Sequence, residues 1–335
     1  MRAVRLYGIG DLRYEQVPPP GTLAVDSIRL KVRAAGICGS DLHNFRTGQW
    51  ISRVPIIPGH EFAGEVLEIG SEVAGFCPGE LVVADSRVSC GACPACLANR
   101  PNVCVQMGYV GEVCDGGFSE IVTLPAHRVL HVPAAVPPSI AALSEPLGVA
   151  LRVIRRLDPP RDAPILIAGA GPIGGLAAIL LNHLGFGPLA IAERNPNRAR
   201  LVSSISGAIT VAASSSDVSA FTGPDGLHYA IEATGSQAML AFLLGSLSGG
   251  GRLAMVGLFT GDPVANANAI VERELEIRGC SVFCNEQREI ISMLPTLAGK
   301  LDPVLSPTVS LEDLPAEYAR LLNGGSAFLK TIVQP

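Results

Sequence analysis

Short apolar runs broken by turn residues dominate the first 140 positions. Residues 27–33, 62–69, 80–84 and 119–124 are such runs, and Pro18-Pro19-Pro20-Gly21, Pro58-Gly59, Pro78-Gly79 and Asp115-Gly116-Gly117 punctuate them. The pattern predicts a mostly-β region. Near residue 145 the period changes, and strand-like and helix-like runs alternate. Strands are predicted over 164–168, 188–192, 208–212, 228–232, 252–258 and 275–280, and helices over 173–184, 197–205 and 237–247. Such alternation builds a parallel sheet with helices on both faces. The last 50 residues are mixed, and 304–308 and 330–333 are predicted strands that rejoin the first region. The chain is therefore expected to be α/β. A discontinuous catalytic domain takes residues 1–142 and 285–335, and a doubly wound parallel-sheet domain takes 143–284.

Composition narrows the classes. The 335 residues exceed one comfortable core, and with 48% apolar and 16% charged residues burial is ample. A net charge of −5 without a basic run argues against nucleic acid or an anionic membrane as partner. The first five residues lead into no apolar core of roughly 7–15 residues, so no secretory signal is read. Residues 163–181 carry no charge, but Gly169, Gly171, Pro172, Gly174 and Gly175 interrupt them. A strand, a tight turn and a buried helix fit this stretch better than a membrane span. Nine cysteines, an odd number with no signal before them, argue for a reducing cytoplasm and metal binding rather than a disulfide framework.

Four of those cysteines, Cys90, Cys93, Cys96 and Cys104, follow a C-x2-C-x2-C-x7-C spacing. Four thiolates this close in sequence can enclose one ion tetrahedrally, as in structural zinc sites. A ferredoxin-type run would place the fourth cysteine three residues on, followed by Pro; here the gap is seven and Val105 follows.

Gly169-Ala170-Gly171-Pro172-Ile173-Gly174 is a G-x-G-x-x-G run directly after a predicted strand and opening a helix. In that context it is a dinucleotide site of Rossmann type: tight turn, close approach to the pyrophosphate, and phosphates at a helix N-terminus. Glu193 ends the next strand, 19 residues after Gly174. A carboxylate there accepts from ribose hydroxyls and repels a 2′-phosphate, which favours NAD over NADP. Arg194 and Arg198 pull the other way, since guanidinium groups suit phosphate.

A second constellation joins Cys38, Ser40, Asp41 and His43 to the Gly59-His60-Glu61 run some 20 residues on. A thiolate, an imidazole and a carboxylate suit a catalytic zinc with an open position, although each residue alone also suits ordinary packing. The order C-G-S-D-x-H, G-H-E, four-cysteine run and dinucleotide fold resembles the zinc-containing medium-chain alcohol dehydrogenases over essentially the whole chain. Ser144-Glu145-Pro146-Leu147 is similar to the sorbitol (polyol) dehydrogenase-like subgroup, where liver-type enzymes carry a zinc-ligand cysteine.

The resemblance implies a GroES-like catalytic domain and two zinc ions, one catalytic and one structural. Cys38 and His60 would be zinc ligands, with Glu61 a third ligand or an exchanging carboxylate. Glu145 would bind the metal directly or through its water; it also reads as an acidic residue at a helix start. Asp41 would orient His60, and Ser40 and His43 would relay the proton. Asn44, Phe45 and Trp50 are candidate pocket residues, and core packing is the plain alternative for Trp50. A residue matching Arg198 accompanies NAD in the family.

The implied reaction is hydride transfer from a secondary alcohol (polyol, sugar alcohol or sugar acid) to NAD. The subgroup's Arg-Tyr pair is missing from Gly279-Cys280-Ser281-Val282-Phe283-Cys284, which puts sorbitol itself in doubt. Alternatives are an L-threonine 3-dehydrogenase-like enzyme, an NADP-linked simple alcohol dehydrogenase, or a non-catalytic nucleotide-binding zinc protein. A homodimer or homotetramer is also implied, with 252–258 and 283–294 as candidate interface pieces.

Overall fold

The computed structural model describes residues 1–324 and 326–335. It divides into two compact units. One comprises Met1–Glu145, Gln287–Ser326 and Lys330–Pro335; the other comprises Pro146–Glu286 and Ala327–Leu329. The chain crosses between them inside two helices, Ser144–Leu157 and Glu286–Leu301. The short return of 327–329 to the second unit has a packing cause: Leu329 lies over Gly175, where a Cβ would come within 2.6 Å of it.

The first unit is built on a seven-stranded sheet. Its path runs Val309–Ser310, Ile332–Gln334, Ser27–Gly36, Glu61–Ile69, Leu81–Ala84 and Val129–His131, with Ile121–Pro125 also pairing with Ser27–Gly36. Alternation works as expected in the central strand, where Ile28, Leu30 and Val32 are buried while Lys31 and Arg33 face out. The core gathers these residues with Phe62, Val82, Phe118, Leu124 and Tyr318. The predicted strand 304–308 is not formed. Asp302–Val304 is a 3-10 turn and the strand is Val309–Ser310. Pro303 starts the turn, and Pro307 has no N–H to give a ladder.

The second unit is a six-stranded parallel sheet. Its order is Ile209–Thr210, Leu189–Ala192, Ile165–Ala168, Leu227–Glu232, Leu247–Met255 and Glu276–Gly279. Numbered along the chain this is 3-2-1-4-5-6, the doubly wound dinucleotide-binding order. Strands Ile165–Ala168 and Leu189–Ala192 are buried on both faces, which is why they read as continuous apolar segments. The structure adds helices Ser215–Thr222 and Ala267–Glu272, which the apolar pattern does not mark. Among the described residues no helix is long and apolar enough to cross a membrane.

Candidate active site and metal centres

Strand register assembles the first site. Ser27–Gly36 and Glu61–Ile69 pair antiparallel with Gly36 opposite Glu61, so Cys38 and His60 leave and enter the sheet at the same end. Ile332 pairs with Gly36 on the other side, bringing Lys330 to that end too. Cys38, His60 and Glu61 each offer a ligand atom, all within 4.8 Å of one another. Gly36 makes room: a Cβ there would meet Glu61 Oε2 at 2.3 Å. A soft thiolate, an imidazole and a carboxylate whose Oε2 is buried without a partner form a donor set that fits zinc.

Helix Gly39–Thr47 starts at Cys38, whose N–H donates to Asp41 Oδ2 at 2.8 Å. Asp41 Oδ1 lies 3.5 Å from His60 Nδ1, so one buried carboxylate fixes both the thiol-bearing turn and the imidazole. Ser40 Oγ is 3.5 Å from His60 Nε2. His43 is held elsewhere: Nε2 bonds Gln49 Oε1 at 2.8 Å and the ring lies on Trp50 at 4.6 Å. Among the described residues no hydrogen bond joins Ser40 to His43. Asn44 and Phe45 serve the unit's interior. Asn44 donates to Glu112 Oε1 (3.0 Å) and accepts from the Trp50 N–H (3.2 Å), and Phe45 packs edge-on to Tyr318.

Glu145 is buried in the first turn of its helix, outside the three-ligand group. Burial pushes its carboxyl up to about 7; His60 opposes this and Glu61 adds to it.

Sequence reasoning passed over several neighbours. Lys330 is fully buried, pairs with Glu61 and donates to the Ile37 carbonyl at 3.1 Å. Its only sequence signal is a lone lysine in the apolar stretch 327–333. Asp85 holds Arg87 through two short bonds of 2.8 and 2.7 Å. Tyr109 and Glu112 follow the four-cysteine run, and the Tyr109 ring lies 6.0 Å from that of His60.

The Lys330–Glu61 pair sets up a stability test. Lys330→Met leaves a buried carboxylate without its counter-charge and is expected to cost about 3–5 kcal/mol in urea unfolding. Adding Glu61→Gln should recover most of it. Equal stability of wild type and Lys330→Met would show that the pair does not brace this end of the sheet.

The four-cysteine run forms the second centre. Cys93 and Cys96 sulfurs lie 3.6 Å apart, and Cys104 and Cys90 sulfurs 3.5 Å, with all four within 4.8 Å of one another. A tetrahedron with Zn–S bonds of ~2.3 Å has edges of roughly 3.8 Å, so the set fits zinc. Backbone N–H groups of Cys90, Cys93 and Gln106 point at sulfur. The Cys96 and Val105 amides pull the Cys93 thiol down to about 6, toward the thiolate a metal needs.

In the second unit, strand Ile165–Ala168 leads into Gly169, at φ 89°, and Gly171 begins helix Pro172–His183 with Pro172 and Ile173 in its first turn. A Cβ on Gly174 would lie 1.9 Å from the Gly169 carbonyl oxygen. Glu193 accepts from the Ala170 and Asn195 N–H groups, each at 2.8 Å. Arg198 Nε is 3.6 Å from the same carboxylate, so its charge is already matched. Glu232, unmarked by sequence reasoning, is fully buried at the end of its strand and accepts from the Thr234 and Gly235 N–H groups at 2.8 and 3.0 Å.

Two family models match. One, described as alcohol dehydrogenase GroES-like domain, spans residues 25–134, and the other, zinc-binding dehydrogenase, spans residues 172–298. The L-threonine 3-dehydrogenase of Shewanella frigidimarina (strain NCIMB 400) is 30% identical over 318 residues, 92% of each chain. A Sinorhizobium meliloti 1021 structure, described as a zinc-binding dehydrogenase bound to NADP, superposes with a TM-score of 0.89. It is 29% identical and covers 100% of this chain and 99% of its own. The 2R,3R-butanediol dehydrogenase of Bacillus subtilis has the same TM-score and coverage at 27% identity.

Proposed function

Because the chain belongs to the zinc-dependent medium-chain alcohol dehydrogenases, NAD(P)-dependent oxidoreductases, we propose that it oxidises a neutral secondary alcohol carrying further hydroxyls, a polyol, sugar alcohol or diol, with NAD as hydride acceptor. The charge balance around the first metal centre carries this reading. Asp41, Glu61, Asp85, Glu112 and Glu145 gather there, and the two cations beside them, Lys330 and Arg87, are already paired with Glu61 and Asp85. Burial lifts the Glu112 and Glu145 carboxyls to about 7, so among the described residues beside this centre a substrate carboxylate or phosphate finds no unpaired side-chain cation, whereas hydroxyl groups find acceptors. The same balance disfavours a sugar acid. L-Threonine is the second reading, because of the curated relatives; its ammonium suits the acidic groups and its carboxylate does not.

Cys38, His60 and Glu61 would hold the catalytic zinc, with Glu145 beside them, and the four lobe cysteines the structural one. Bound there, zinc supplies a Lewis acid that lowers the pKa of the alcohol oxygen. The chain's own groups do the rest. Asp41 fixes His60, and Lys330 holds Glu61 in place. Ser40 stands at the ligand cluster, where its hydroxyl can take the alcohol's proton only while passing its own to a bridging hydroxyl or water that leads to His43 or solvent. Trp50, tilted against the His43 ring, offers an apolar wall for the carbon chain. Gly169, Gly171, Pro172, Ile173 and Gly174 shape the pyrophosphate turn.

NAD is favoured because Glu193 sits on the Gly-rich turn with Arg198 paired to it. Glu193→Ala is expected to lower the ratio of kcat/KM with NAD to that with NADP at least tenfold. An unchanged ratio would remove Glu193 as the selector. Nine cysteines with no disulfide among the described residues suit a reducing compartment such as the cytoplasm, and a homodimer or homotetramer remains part of the proposal.

Metal content with a turnover screen tests the whole reading. Two zincs per chain, chelator-sensitive NAD reduction with a polyol or diol, and little with sugar acids or L-threonine are expected. Activity confined to L-threonine would replace this reading with the second one.

A further inference from the structure

We infer that Tyr109 reads a second hydroxyl of the substrate, next to the carbon being oxidised, and so selects diols and polyols over mono-alcohols; this rests on the function proposed above. Tyr109 ends the two-residue strand Gly108–Tyr109, which pairs with Arg87–Val88 so that Tyr109 stands opposite Arg87. Its carbonyl accepts from the Glu112 and Val113 N–H groups, both at 3.0 Å, and the Val110 N–H donates to the Ser86 carbonyl at 2.8 Å. The turn is closed further by the Gly111 N–H on the Cys114 carbonyl at 2.7 Å. Backbone bonds on both sides of the residue therefore set where the ring starts from, before any substrate arrives.

The ring is half-buried and tilted 48° against His60 at 6.0 Å between centroids, beside the Cys38, His60 and Glu61 group. Among the described residues its hydroxyl has no hydrogen-bond partner, while its charged neighbours Arg87 and Glu112 are already bonded. Arg87 is held by Asp85, and Glu112 accepts from Asn44. A phenol ionises only at about pH 10, so it stays an O–H at neutral pH. An O–H can donate to one substrate oxygen and accept from another, which suits a neutral hydroxyl and gives a carboxylate no charge to pair with. The hydroxyl is accessible on the half-buried ring, so a second substrate hydroxyl can take the place of water on it, a hydrogen bond that a mono-alcohol does not offer.

The test compares wild type with Tyr109→Phe on a matched pair of probes, butane-2,3-diol and butan-2-ol, with zinc content and thermal unfolding measured on both proteins. The expected result is a fall of about 5- to 15-fold in kcat/KM on the diol, carried mainly by KM, with butan-2-ol changed less than twofold. Zinc content and Tm should be unchanged. A wild type active on the diol together with a Tyr109→Phe variant showing the same diol-to-mono-alcohol ratio would overturn the inference alone. Equal losses on both probes would also overturn it, assigning the ring to structure or chemistry. A wild type inactive on every diol and polyol would overturn the proposed function, and this inference with it.

Discussion

Cys38→Ala is expected to lower kcat/KM about 10^4-fold, the rate equivalent of roughly 5–6 kcal/mol, while zinc falls from two to one per chain. The thiolate cannot be replaced locally. Its ligand partners His60 and Glu61 come from the adjacent strand end, and the further carboxylates near them, Asp41 and Glu145, lie outside the ligand group. NAD binding should survive, because the Gly-rich turn and Glu193 belong to the other unit. Fluorescence titration with NADH, zinc analysis and turnover on the same sample separate these effects. A variant keeping two zincs and its activity would show that Cys38 does not hold the catalytic metal.

Cys104→Ala is expected to unfold the four-cysteine lobe while leaving the rest of the chain folded. The lobe has almost no core of its own. Between residues 90 and 105 only Asn102 and Cys104 are buried, and Leu97, Val103 and Val105 are exposed. A zinc bound to the four cysteines would supply that ordering, its binding free energy acting as local folding free energy. Amide exchange over 90–106 should speed up roughly 10^3-fold, with one zinc lost and the strand amides of 27–36 still protected. Retained protection over the lobe would mean that its hydrogen bonds alone hold it.

Both variants rest on residues legible in the sequence, whereas much of what surrounds them was not. Asn44 and Phe45 follow the first metal motif, and their types suit a pocket as well as a core. Asn44 turns out to tie Trp50 to the 109–115 turn through Glu112, and Phe45 packs on Tyr318. No local pattern separates those outcomes, because both partners come from distant segments. The same holds for Ser40 and His43: their spacing suits a relay, but His43 bonds Gln49 six residues on. The strand expected at 304–308 failed for a reason that was visible, Pro303 and Pro307, although the apolar run outweighed it.

The sequence by itself determined what depends on short spacing and local period. It carried the β-rich and alternating regions, the four-cysteine lobe, the Gly-rich turn with Glu193 two strand-lengths on, and the Cys38 and His60 motifs. For the lobe and the Gly-rich turn, neighbours along the chain are neighbours in space, so residue type and interval suffice; for Cys38 and His60 the order of motifs along the whole chain was needed as well. Only the tertiary structure decided that Lys330 neutralises Glu61 across 269 residues, and that Arg87, Tyr109 and Glu112 stand with Glu145 around the first ligand group. The cause is strand register. Antiparallel pairing of Ser27–Gly36 with both Glu61–Ile69 and Ile332–Gln334 fixes which ends meet, and a slip of one residue would turn every side chain to the other face.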